Sequence, residues 1–126
     1  TTGLILVDIQ NDYFAGGRME LAGWMRPLKM QAIAGPFPLN NLFDALKQAK
    51  VDKVAICGAM SHMCIDATTR AAADLGFQCT LIHDACATRN LEFGTQKVLA
   101  EDEHASFMAA LNAAYARVIS CKEFIA

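Results

Sequence analysis

Four short apolar runs constrain this chain more than any other feature. Residues 4–7 read LILV and lead into Asp8; residues 54–57 read VAIC and lead into Gly58. Residues 77–85, FQCTLIHDA, end at His83 and Asp84, and residues 116–121, ARVISC, form a weaker fourth run. The first two runs do not alternate polar with apolar, as a strand with one wet face would. Unbroken runs of this length suit strands buried on both faces of a parallel sheet. Parallel neighbours need long crossovers, and helical patterns fill the intervals. NNLFDALKQAK places Leu42, Leu46 and Ala49 on one face, with Asn40 or Asn41 as its N-cap. CIDATTRAAADLG stops at Gly76, the expected residue just past a helix end. Residues 101–116 carry Ala105, Met108, Leu111 and Ala114–Tyr115 at helical spacing. Strand and helix in alternation predict an α/β fold with right-handed crossovers.

The 126 residues fit one domain. Residues 22–40 break the alternation: they hold Pro27, Pro36 and Pro38 and predict a loop with at most one short helix. A net charge of −2 offers no basic face for nucleic acid. No apolar run reaches membrane-spanning length and no signal-peptide pattern opens the chain, so neither a membrane nor an export role is expected. The five cysteines (57, 64, 79, 86 and 121) form no CxxC pair. They read as reduced thiols of a cytoplasmic protein, with Cys57, Cys79 and Cys121 in or beside strands and Cys86 in the loop after Asp84. His62, His83 and His104 form no H-x-x-x-H pair, and no metal site or cofactor is expected.

In open parallel sheets ligands gather outside the carboxyl ends of the strands. Asp8, the turn from Gly58 to Cys64, and His83 with Asp84 are the expected strand ends. Cys64 stands where a helix should start, and the free N–H groups and dipole there favour a thiolate. The same N–H groups suit the oxyanion of a tetrahedral intermediate, and Asp8 suits proton transfer. From position alone Cys64 reads either as core filling or as a nucleophile. Asp8 reads as a turn former or a base. His62, two residues from the thiol, is a further candidate base.

LILVDIQNDYFAGGRMEL, VAICGAMSHMCIDATTRAAADLGF, LIHDACATRN and HASFMAALNAAYARVIS, in this order, resemble the isochorismatase-like cysteine hydrolases. The resemblance implies a three-layer α/β/α sandwich on a mostly parallel six-stranded sheet, as a single domain over residues 1–126. It implies an Asp–Lys–Cys triad whose Asp maps onto Asp8 and whose Cys maps onto Cys64. It also implies an oxyanion hole from the backbone N–H groups of Met60 and Cys64, with a cis peptide at Ala59–Met60. Phe14, Gln10 and, less directly, Tyr13 map to the pocket. Members with this thiol cleave amides and related C–N bonds of small molecules, and relatives assemble, so a small-molecule substrate and a homo-oligomer are expected. Two alternatives are a vinyl-ether hydrolase of the isochorismatase type and a catalytically silent binding or assembly module. Relatives run to roughly 180 residues, still one domain. The shortfall lies between about residues 22 and 41, where relatives carry the triad lysine. Gly35 occupies the motif place, and Lys29 lies off its spacing.

Overall fold

The computed structural model describes residues 1–7 and 39–126. Asp8, Gln10, Tyr13, Phe14, Lys29 and Gly35, with residues 22–38 of the loop expected over 22–40, lie outside the described residues; residues 39 and 40 of that stretch are helical instead. Among the described residues, four strands form one parallel sheet: β1 (Thr2–Val7), β2 (Lys53–Ala59), β3 (Gln78–Ala87) and β6 (Arg117–Ile119), in the order β1-β2-β3-β6. The helices between and after them are α1 (Leu39–Gln48), α2 (Asp66–Asp74), α3 (Ala100–Ala114) and α4 (Cys121–Ile125). The α/β expectation is therefore met, with a mostly parallel sheet and helical crossovers. A separate antiparallel hairpin, β4 (Leu91–Phe93) and β5 (Gln96–Val98), turns at Gly94, whose φ of 61° is open to glycine at little cost.

The central strands are apolar because they are covered on both sides. Every residue of β2 from Val54 to Ala59 is buried, and Ile5, Val7, Leu81 and Ile82 join the same core. Phe43 anchors α1, its ring 5.6 Å from that of Phe77. Leu42 and Leu46 are only half-buried and Ala49 is exposed, so the buried face turns on Phe43. Asn40 and Asn41 lie inside α1, not ahead of it, so neither is its N-cap. On α3, Met108 and Leu111 are buried as expected, while Ala105 and Ala114 are exposed and the buried face begins at Glu103.

The end of α2 follows its sequence. Gly76 adopts φ 90°, its N–H donates to the Ala73 carbonyl, and the Phe77 N–H donates to the Ala72 carbonyl. This paired closure satisfies two carbonyls and delivers Phe77 to the core. β3 is longer than expected. Ile56 pairs with Leu81 but Gly58 pairs with Cys86, so β3 makes an irregular excursion through His83 and Asp84 before rejoining β2. Cys86 is thus a buried strand residue, not a loop residue, and His83 and Asp84 are not the strand's end. Asp84 has a structural partner: its Oδ1 accepts the Cys121 N–H at 2.7 Å, at the start of α4. Ser120 and Glu123 close a reciprocal capping box on the same helix.

Candidate active site

The site is built on the carboxyl end of β2. Gly58 pairs with Val7 at the end of β1, with φ 132° and the strands in close approach. A Cβ on Gly58 would lie 2.0 Å from the Val7 carbonyl oxygen, so only glycine lets the two strands meet there. Asp8 follows Val7 directly in the chain, and its own placement lies outside the described residues.

Beyond Ala59 the Ala59–Met60 peptide is cis. The chain then coils into a wide π-turn, Ser61–Ile65, in which the Met60 carbonyl accepts the N–H groups of Met63 at 3.0 Å and Ile65 at 3.2 Å. Cys64 sits within this turn, and α2 begins two residues later at Asp66. The sequence reading put the thiol at the helix start itself; the extra turn arises because the Met60 carbonyl reaches to the fifth residue along. Cys64 is half-buried against the core, and Met60 is buried. The bulky neighbours differ in setting: Ile65 is fully buried and Met63 is exposed.

Polar groups behind the turn come from the residue just after β3 and from α3. The Ser61 hydroxyl shares a 2.8 Å hydrogen bond with His104 Nδ1. His62 Nδ1 lies 3.0 Å from Thr88 Oγ1 and 3.3 Å from Glu103 Oε1. Only the Thr88 contact has hydrogen-bond geometry; neither carboxylate oxygen of Glu103 does. His62 is therefore engaged with Thr88 and Glu103, which weakens its candidacy as the base. Burial, aided by the charge of His83, holds the His104 imidazole below its ordinary range. Sequence reasoning missed Thr88, Glu103 and His104, because nothing local distinguishes them from strand-end and helix-surface residues. On α2, Thr68 and Thr69 are buried, while Arg70 donates to Asp66 Oδ1 at 2.9 Å and lies over the Tyr115 ring.

Cys57, Cys79 and Cys86 are buried, whereas Cys64 and Cys121 are half-buried. Burial pushes Cys57 and Cys79 up to about 11 and Cys86 up to about 12. Cys121 is also raised, first by burial and then by Asp84. None of the five cysteines is in a disulfide. Among the described residues no group of three or more His, Cys, Asp or Glu is placed to hold a metal ion, and no helix is long and apolar enough to cross a membrane.

Comparison with known proteins gives a consistent family. The isochorismatase domain profile matches residues 29–123. The uncharacterized isochorismatase family protein YddQ of Bacillus subtilis (strain 168) is 31% identical over 178 aligned positions, covering 99% of each chain. This chain has 126 residues, so that alignment opens gaps on its side. Streptothricin hydrolase of Streptomyces noursei is 33% identical over 105 positions, covering 72% of this chain and 37% of its own length. A crystal structure of an isochorismatase hydrolase from Oleispira antarctica is 54% identical with a TM-score of 0.65, covering 68% of this chain and 45% of the other. The chain thus spans less than half the length of the last two relatives.

Proposed function

The chain belongs to the isochorismatase family of hydrolases, and on that premise we propose that it cleaves an amide or related C–N bond of a small molecule through Cys64. The observation that carries this reading is the path from β2 through the π-turn, which presents the half-buried Cys64 at the strand's carboxyl end while the strand thiols Cys57, Cys79 and Cys86 are sealed in the core. In this mechanism the Cys64 thiolate attacks the carbonyl carbon and a C–S bond forms. The backbone N–H groups of Met60 and Cys64 hold the oxyanion. The intermediate then collapses, the C–N bond breaks, and Asp8 passes the proton taken from the thiol to the departing amine or ammonia. Water attacks the thioester, gives its proton back through Asp8, and frees the carboxylic acid and the thiol. Tyr13, Phe14 and Gln10 would line the substrate pocket.

Five cysteines without a disulfide suit a reducing compartment such as the cytoplasm. Homo-oligomerisation accords with the exposed Leu4, Phe93 and Ile125, and sedimentation of the intact protein tests it.

The test is ammonia release from a panel of small amides by the wild type, Cys64→Ala and Cys64→Ser. We expect turnover by the wild type and a loss of about 10³-fold or more in both variants. Turnover that survives in Cys64→Ala would sink the thiol mechanism. Thiol-independent cleavage of isochorismate would point to vinyl-ether hydrolysis, and a Cys64 no more reactive than an ordinary thiol would point to a silent binding module.

A further inference from the structure

The first two residues of the π-turn are gripped by consecutive residues of α3: Ser61 by His104 and His62 by Glu103. Phe107, one helical turn beyond Glu103, meets the His62 ring nearly edge-on at 6.2 Å between centroids. One face of α3 therefore closes over His62, with Thr88 of the β3 end on the ring's Nδ1.

Glu103 is the anomaly in this arrangement. The first turn of α3 carries three acids, Glu101, Asp102 and Glu103. Acids there are favoured by the helix dipole, a benefit available at the surface. Glu101 and Asp102 are exposed accordingly, whereas Glu103 is 3% exposed and is the only buried charged residue among the described residues. Taking a carboxylate out of water costs several kcal/mol, and an apolar side chain of similar volume would avoid the cost. The nearby cation-forming group is His62, 3.3 Å away but without hydrogen-bond geometry. Stability alone does not account for an acid in that place. In some proteins a buried polar or ionic contact serves to select a conformation, and the Glu103–His62 contact is placed to do so.

We propose that Glu103 is a positioning residue: through His62 it fixes the π-turn that carries Cys64 and so sets the reactivity of the thiol. It does not touch the reacting atoms. The inference rests on the reading of Cys64 as nucleophile, and it adds that the nucleophile's seat is held from α3.

The test measures the rate of Cys64 alkylation by iodoacetamide, with the modified residue identified by mass, in the wild type, Glu103→Gln, Glu103→Leu and Glu103→Asp. Thermal midpoints are recorded alongside. We expect Glu103→Gln and Glu103→Leu to slow Cys64 by about tenfold or more, with partial rescue in Glu103→Asp. Glu103→Leu is expected to keep or raise the thermal midpoint, since it removes a buried charge. A merely structural role would move stability and leave the thiol's rate alone. Wild-type rates in Glu103→Gln, or a lowered midpoint with unchanged alkylation in Glu103→Leu, would overturn the inference while leaving Cys64 as nucleophile. A wild-type Cys64 that reacts no faster than a free thiol would overturn both.

Discussion

Replacing Gly58 by alanine tests the geometry on which the site is built. Two costs can be separated. The first is conformational: φ is 132° at Gly58, a region that side-chain-bearing residues occupy at about 1–3 kcal/mol. The second is steric. The new Cβ would lie 2.0 Å from the Val7 oxygen, 2.8 Å from its nitrogen and 2.9 Å from its carbonyl carbon. These are backbone atoms of a paired strand, so no side-chain rotation relieves the overlap. Either β1 withdraws from β2 or the end of β2 twists, at a cost typical of overpacking, about 1–3 kcal/mol. Together they predict a loss of roughly 4 kcal/mol, a large share of the 5–15 kcal/mol that holds a domain together. Gly76→Ala is the control. Its φ is 90°, but nothing lies within 4 Å of its Cβ position, so only a conformational cost of about 1–2 kcal/mol applies. Urea titrations followed by circular dichroism would read both. If the two variants lose the same stability, the close contact of β1 with β2 at Gly58 is not what requires glycine.

Two further outcomes follow from the buried groups. Iodoacetamide at about pH 8 is expected to label Cys64 first and to spare Cys57, Cys79 and Cys86 in the folded protein, since burial holds those thiols protonated; labelling of Cys86 as fast as Cys64 would contradict its packing. His104 should make stability fall in mild acid: its folded imidazole titrates below the ordinary 6.5, so the unfolded chain takes up the proton first. That penalty is absent above about pH 6.5 and grows as pH falls toward the folded value. His104→Gln should flatten the fall in urea midpoint between about pH 7 and pH 5, and an identical fall in the variant would exclude His104 as its source.

Strands buried on two faces announce themselves locally, which is why β2 and the start of β3 were legible; β1 was legible from its unbroken apolar run, although it buries Ile5 and Val7 and leaves Leu4 exposed. The continuation of β3 was not, because His83 and Asp84 look like an end; the strand resumes only because Cys86 and Ala87 find Gly58 and Ala59 across the irregular stretch. The hairpin at 91–98 was illegible for the opposite reason. Its residues are nearly all exposed, so burial imposes no alternation, and Gly94 is the single local cue. The capping box that starts α4 could have been read directly from Ser120 and Glu123.

The site divides along the same line. Cys64 could be singled out because its turn lies within a few residues of the strand that delivers it, and Gly58 and Gly76 bracket that segment. The groups behind the turn could not be singled out. Glu101, Asp102 and Glu103 are equivalent in sequence terms, each an acid in a first helical turn. Which one leaves the solvent is decided by where α3 meets His62, a contact between segments far apart in the chain. On the proposed reading, the nucleophile is placed by local rules while its reactivity is set by non-local ones. Substitutions on α3 therefore test the candidate site as directly as substitutions in the turn itself.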